Sequence, residues 1–166
     1  MRIRVDEDFI DAAQICLNGH VVNDSSHSYP KSNQDYCEKC GVKTITECQQ
    51  CKTEIKGFHH MPGAIRISDY DRPAFCQKCG QAFPWTSKRI DAARQLADEL
   101  ENLTPEDKDE LKRSLDDLVK DTPFTPVAEA RFKKIMKRSG REVVDAMRSA
   151  LTDVLSEAAR KAIFGA

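Results

Sequence analysis

Residues 37–51 read CEKCGVKTITECQQC. Two C-x-x-C pairs, Cys37/Cys40 and Cys48/Cys51, stand seven residues apart. Downstream lies a third pair, Cys76/Cys79 in FCQKCG, and upstream a lone cysteine, Cys16, in ICLNGH at 15–20. Seven cysteines is an odd number. His20, four places after Cys16, completes a set of eight. Free thiols packed as small hydrophobes have no reason to repeat one spacing. The repeat reads as pairs of donor atoms converging on shared centres.

Eight donors suit two four-coordinate metal ions. Zinc takes thiolate sulfur and imidazole nitrogen in a closed tetrahedron. Two residues between ligands let both side chains enter one turn, and C-x-x-x-H allows the same with a wider turn. Asn18-Gly19, Gly41 and Gly80 suit backbone positions with positive φ, whereas the Cys48/Cys51 pair is followed by Lys52. The expected ligands are Cys16, His20, Cys37, Cys40, Cys48, Cys51, Cys76 and Cys79, holding two structural Zn2+ ions. His27 in SSHSYP and the adjacent His59 and His60 fit no compact turn with a cysteine, so they read as loop or surface residues, with a secondary metal or partner contact as the minor reading. A structural ion supplies ~10–16 kcal/mol of apparent binding energy that acts as folding energy. With four donors per ion no position stays open for water. No Glu stands beside a ligand in an HExxH or HxE…PCxxC arrangement, so hydrolytic and deaminase chemistry is not expected. A redox C-x-x-C needs a βαβ unit, and none is predicted.

Two pairings are open. In the sequential scheme Cys16/His20 and Cys37/Cys40 share one ion and Cys48/Cys51 and Cys76/Cys79 the other; in the cross-braced scheme Cys16/His20 goes with Cys48/Cys51 and Cys37/Cys40 with Cys76/Cys79. The seven-residue gap favours the sequential scheme, because it resembles the join between tandem zinc ribbons. AQICLNGH, DYCEKCG and FCQKCGQAFPW, followed by charged helices, resemble an uncharacterised family of small bacterial proteins with a double zinc ribbon. That resemblance spans most of the chain. It implies the same ligand set and a bacterial cytoplasmic setting, and it carries no activity.

The 166 residues are 7% aromatic and 32% charged, a thin supply for a large core. All cysteines fall before residue 80, which suggests a boundary near the single tryptophan, Trp85: a double zinc-ribbon domain at 1–86 and a helical domain at 87–166. No run of ~18 apolar residues predicts a membrane span, and MRIRVDEDF lacks the apolar stretch of a secretory signal. Cytoplasmic location and reduced thiols are therefore expected. Net charge is -1 overall; residues 1–86 hold 10 Lys/Arg and 11 Asp/Glu, and seven metal-bound thiolates with two Zn2+ take that half to about -4. Phosphate binding needs a basic surface. Lys39, Lys43, Lys52, Lys56 and Lys78 read as local compensation for zinc thiolates. Phe58, Tyr70, Phe75, Phe83 and Trp85 read as core residues before base-stacking ones. The insert GFHHMPGAIRISDYDRPAF is long for a ribbon. Met61, Ile65, Ile67 and Tyr70 present an apolar face there, or IRI is a ribbon strand.

Beyond AFPWT the apolar period becomes 3.6. Thr86 or Ser87 caps a predicted helix reaching about Glu101, with Ile90, Ala93, Ala97 and Leu100 on one face. Thr104-Pro105-Glu106-Asp107 opens a second helix bearing Leu111, Leu115, Leu118 and Val119. Thr125-Pro126 opens a third, with Ala128, Phe132, Ile135 and Met136, stopped at Ser139-Gly140. A fourth runs from about Arg141 to Ile163, its stripe including Met147, Leu151, Val154, Ala158 and Ala162. The fold class is thus a small zinc-stabilised β-hairpin module followed by an all-α bundle of about four helices. Residues 98–121 hold ten acids and four bases, whereas 131–141 hold six bases and no acid. Ordinary charge patterning lays basic helix three against acidic helix two.

The leading functional expectation is a non-enzymatic zinc adaptor that recognises a protein partner, with self-association through the last helix as a further possibility. The alternatives are a nucleic-acid-binding regulator using the ribbon lysines and helix 131–141, and a cross-braced RING-like module of a bacterial ubiquitin-like conjugation pathway. No membrane role is expected, because the last helix carries Asp145, Asp153 and Glu157 beside Arg148 and Arg160.

Overall fold

The computed structural model describes residues 8–64 and 69–165. The chain divides into two compact units, Met1–Thr86 and Ser87–Ala166.

The first unit is built from short strands: β1 (Phe9–Ala12), β2 (Gln14–Cys16), β3 (Val21–Asn23), β4 (Thr44–Ile45) and β5 (Lys56–His60). β1 and β5 form one antiparallel pair, with Phe9 opposite His60 and Ile10 opposite His59. The others form a sheet in the order β3-β2-β4. Ladders this short give few backbone bonds, so the unit depends on what its turns enclose. Its buried cluster is Ala13, Ile15, Cys48, Ile55, Cys76, Phe83 and Trp85. The Phe83 and Trp85 rings stack at 4.6 Å. Two members of that cluster are cysteines of the repeated pairs, so apolar core and donor atoms are one structure. Gly57 lets β5 pass close to the 11–12 and 24 backbone: a Cβ there would lie 2.4 Å from the Asp24 carbonyl oxygen and 2.7 Å from the Ala12 carbonyl carbon.

The long insert supplies β5 at its start. Tyr70 packs half-buried against the core and its hydroxyl donates to the Lys56 carbonyl. Met61 is exposed. The expected strand or apolar face at Ile65 and Ile67 lies outside the described residues.

The helices are α1 (Pro84–Asp98), α2 (Pro105–Leu118), α3 (Thr125–Met136), α4 (Arg141–Leu151) and α5 (Glu157–Phe164). α1 begins before the expected Thr86/Ser87 cap and ends before Glu101. Proline at its first position has no N–H to leave unpaired. Thr86 is fully buried and its hydroxyl donates to the Ala74 carbonyl at 2.8 Å, so it is unavailable as a cap. Thr104 caps α2 as its sequence predicts, accepting from the Asp107 N–H. α2 packs on α3 and α3 on α5. Leu111, Leu115 and Leu118 of α2, Phe132 and Ile135 of α3, and Met147 and Leu151 of α4 are buried.

The expected fourth helix is two helices. One straight helix over 141–163 would be about 35 Å long at ~1.5 Å per residue, well beyond its neighbours. The chain breaks at 152–156 instead. Ser156 donates its N–H to the Leu118 carbonyl at 3.0 Å, and its hydroxyl accepts from Ala159 N–H to cap α5. The break resets the helical phase: Ala158, expected on the apolar stripe, is exposed, and Ala159 is buried.

Candidate metal centres

Three C-x-x-C turns are copies of one hairpin. Cys37, Cys48 and Cys76 each donate a backbone N–H to the carbonyl five residues on, at 2.8–2.9 Å, and each accepts from the N–H four residues on, at 2.7–3.0 Å. The bridging pairs Tyr36–Lys43, Glu47–Glu54 and Phe75–Ala82 occupy the same place in each turn. The residue after the second cysteine has positive φ in all three: 69° at Gly41, 60° at Lys52 and 71° at Gly80. The fourth turn, between β2 and β3, joins Cys16 to His20. Cys16 N–H donates to the His20 carbonyl, and His20 N–H reaches Cys16 Sγ at 3.2 Å.

The turns bring all eight sequence-predicted donors into two groups, Cys16/His20/Cys37/Cys40 and Cys48/Cys51/Cys76/Cys79, with the donor atoms of each group within 4.8 Å of one another. This is the sequential pairing. In the first group Cys16 Sγ lies 3.6 Å from His20 Nδ1 and 3.7 Å from Cys40 Sγ, and Cys37 Sγ lies 3.5 Å from His20 Nδ1. In the second, Cys48–Cys79 and Cys51–Cys76 are 3.8 and 3.6 Å apart. A zinc tetrahedron with Zn–S of about 2.3 Å and Zn–N of about 2.0–2.1 Å has S···S edges of about 3.8 Å and S···N edges of about 3.6 Å. The observed separations fit those edges, whereas a disulfide needs about 2.05 Å. Both groups are thus geometrically able to hold a metal ion.

Electrostatics points the same way. The Val42 N–H, first among its partners, lowers Cys40 to about 6. The Thr53 hydroxyl and N–H do the same for Cys51. Burial raises Cys16. Gln81 N–H favours the Cys79 thiolate, but burial and the Cys51, Cys76 and Cys48 sulfurs push it up to about 12. Packed sulfurs cannot all ionise unaided, because like charges disfavour one another. A divalent cation at the centre removes that conflict.

The remaining histidines are not loop residues throughout. His59 and His60 lie on β5. His60 stacks on Phe9 at 4.7 Å and its Nε2 meets Ser25 Oγ at 3.2 Å. Asp11, unremarked in the sequence, has a fully buried side chain. It accepts from the N–H groups of Ala12, His27 and Ser28 at 2.7, 3.0 and 3.1 Å. Burial alone would raise its carboxyl, but bonds from Ser28, His27 and Ala12 outweigh that and hold it low. His60 Nε2 and His27 Nδ1 stand 3.7 and 3.9 Å away. The available signal was an acid in the otherwise apolar strand FIDAAQIC. Phe83 and Trp85 are buried as core residues, whereas Tyr29 and Tyr36, unremarked in the sequence, face solvent.

Basic α3 meets acidic α2 through Arg131–Glu110 at 3.3 Å and Arg138–Asp107 at 2.9 Å. Lys133, Lys134 and Lys137 are exposed and make no ion pair with the described residues. No helix among the described residues is long and apolar enough to cross a membrane.

Fold and clusters together define the class: a small β-hairpin module with one cluster of three cysteines and a histidine and one of four cysteines, followed by a helical region. The chain belongs to the family described as "Uncharacterized protein conserved in bacteria (DUF2321)", whose profile matches residues 9–163. No curated protein and no solved structure matches it.

Proposed function

We propose that the chain is a non-enzymatic adaptor whose first unit is held in shape by two zinc ions and which recognises a protein partner in a reducing, cytoplasmic setting. Cys16, His20, Cys37 and Cys40 hold one ion; Cys48, Cys51, Cys76 and Cys79 hold the other. The carrying observation is the full complement of four protein donors in each cluster. A catalytic zinc keeps a place for water, and a structural one does not. Tetrahedral sulfur-rich sets suit zinc or iron, and the imidazole in the first cluster favours zinc. A net charge of -1 favours a protein partner over nucleic acid.

The test is metal analysis of reduced, purified protein joined to a tagged pull-down with and without nuclease. The expected result is two zinc ions per chain and partner proteins that survive nuclease. Folded protein without tightly held zinc, or capture abolished by nuclease, overturns the reading. The pairing is tested by Cys16→Ser/Cys37→Ser, which leaves one ion per chain if those two residues share a centre and none if they do not. A second reading, a nucleic-acid-binding regulator, is favoured by exposed Lys133, Lys134 and Lys137. It predicts binding that falls steeply with salt and disappears when all three become Glu. A RING-like reading requires the cross-braced pairing, which the sequential grouping of the donors does not support.

A further inference from the structure

The two clusters differ in how far their cysteines are covered. In each matching turn the first cysteine is buried: Cys37, Cys48 and Cys76 are 3–4% exposed. The second cysteine varies. Cys40 and Cys51 are partly covered, whereas Cys79 is exposed. The residue two places further on follows the same order. Val42 and Thr53 are half-buried, and Thr53 Oγ1 lies 3.3 Å from Cys51 Sγ. Their counterpart, Gln81, is exposed together with all of residues 77–82. The Cys76–Cys79 turn is therefore the open one, and Cys79 is the cysteine that solvent reaches most readily.

Charge adds to exposure. Four thiolates around one Zn2+ leave a net charge of about -2, whereas three thiolates and a neutral imidazole leave about -1. Sulfurs that share the larger negative charge are the more electron-rich. Proximity does not separate the clusters: Cys16–Cys40 at 3.7 Å matches Cys48–Cys79 at 3.8 Å and Cys51–Cys76 at 3.6 Å. Number does. Four sulfurs can close two disulfides, while three close one and leave a thiol beside His20. Oxidation of a thiolate follows its electron density and its access, and both favour the second cluster.

We propose that the second cluster is an oxidant-sensitive modification site, entered at Cys79 by a small hydroperoxide, while the first cluster keeps its ion. The Cys79 sulfur attacks one oxygen of hydrogen peroxide. An S–O bond forms, the O–O bond breaks, and hydroxide leaves to be protonated by solvent. The Cys48 thiolate, 3.8 Å away, then attacks the sulfur of the Cys79 sulfenic acid. An S–S bond forms, the S–O bond breaks, and a second hydroxide leaves and is protonated. Two electrons pass from two thiolates to one peroxide, which becomes two waters. Cys51 and Cys76 alone cannot retain the ion, and a second peroxide joins them in the same way. This rests on the proposed zinc sites and adds a regulation of them.

The test treats the reduced, zinc-loaded full chain with hydrogen peroxide. Freed zinc is read with a chromogenic chelator, and disulfides by differential alkylation and mass spectrometry. One ion per chain is expected to leave about tenfold or more faster than the other. Cys48–Cys79 is expected as the first disulfide, with Cys16, Cys37 and Cys40 still alkylated as thiols after denaturation. Dimedone added with the peroxide is expected to label Cys79. Cys79→His gives the second cluster the donor types of the first; it is expected to keep two ions and to slow the faster release about tenfold. The inference is overturned if both ions leave at one rate, if the first cluster empties first, or if both ions persist. It is equally overturned if the first disulfide and the dimedone label exclude Cys79, or if a two-ion Cys79→His chain releases zinc as fast as wild type. Should that variant hold one ion only, the order of release and the label in wild type decide. Reduced protein that holds no zinc before peroxide sinks the zinc reading itself; protein that starts with two ions and fails as above sinks the oxidation site alone.

Discussion

The two units bury cores of different kinds. In the first, seven residues form the buried cluster and two of them are cysteines that also belong to a donor group. In the second, the buried side chains Leu111, Leu115, Leu118, Phe132, Ile135, Met147 and Leu151 carry no titratable atom. A short strand gains little from its own ladder, and a short helix gains most of its stability from packing an apolar face. On the proposed reading, the first unit relies on cross-links where the second relies on side-chain area.

The strongest way to break that contrast is to remove metal. With two zinc ions bound as proposed, chelation under reducing conditions is expected to withdraw about 10–16 kcal/mol per ion, enough to unfold a unit of this size. Trp85, the single tryptophan, is buried in the first unit against Phe83 and reports on it. Its emission is expected to shift to the red while far-ultraviolet helical dichroism largely persists. Unshifted Trp85 emission in metal-free protein would show that the apolar cluster suffices alone.

The reciprocal change is Phe132→Ala. Phe132 is 1% exposed. Its truncation is expected to cost the second unit about 3–5 kcal/mol. Helical dichroism should melt earlier while each chain still holds two ions. Loss of metal from this variant would mean that the units do not depend on different cores.

A smaller effect separates polar support from metal support within the first unit. Asp11→Asn keeps the shape but places an amide against three N–H donors, and is expected to cost about 1.5–3 kcal/mol at neutral pH. The folded-state pKa of Asp11 is lowered, so its contribution is present above the unfolded value and lost as pH falls through the folded one. The difference in denaturant midpoint between wild type and Asp11→Asn should therefore be flat near neutrality and shrink below pH ~4. A difference that persists in acid would assign the effect to packing.

The sequence displays the donor groups more clearly than the scaffold around them. Each C-x-x-C turn is local, so its spacing carries its geometry, and Cys16–His20 follows the same logic. Helix faces are legible for the same reason: Ile90, Ala93, Ala97 and Leu100 are all buried, as their period predicts. Pairing of β1 with β5 joins residues nearly fifty positions apart and leaves only the alternation in KGFHH as a trace. Its consequence, His60 stacked on Phe9 beside buried Asp11, stays invisible as long as His60 reads as a loop residue. The break between α4 and α5 is partly visible. Ser156 followed by Glu157 is a helix start, but the apolar stripe continues through it and masks the change of phase.

The smallest expected effect compares the three matching turns with one another. They share hydrogen bonds and backbone, and differ in that Gly41 and Gly80 occupy the positive-φ position where the Cys48–Cys51 turn has Lys52. A Cβ added at Gly41 or Gly80 meets nothing within 4 Å, so its cost is torsional alone. Gly41→Ala is expected to destabilise the first unit by about 1–2 kcal/mol. Lys52→Gly relieves the corresponding strain but frees the unfolded chain by about 0.5–1 kcal/mol, so its net gain stays within ~1 kcal/mol. Both are read as shifts in the chelator concentration that half-empties the affected cluster: lower for Gly41→Ala, slightly higher for Lys52→Gly. If Lys52→Gly instead weakens metal retention, the Lys52–Glu47 contact contributes more to that turn than its left-handed backbone costs, and the three turns are alike in shape but not in what stabilises them.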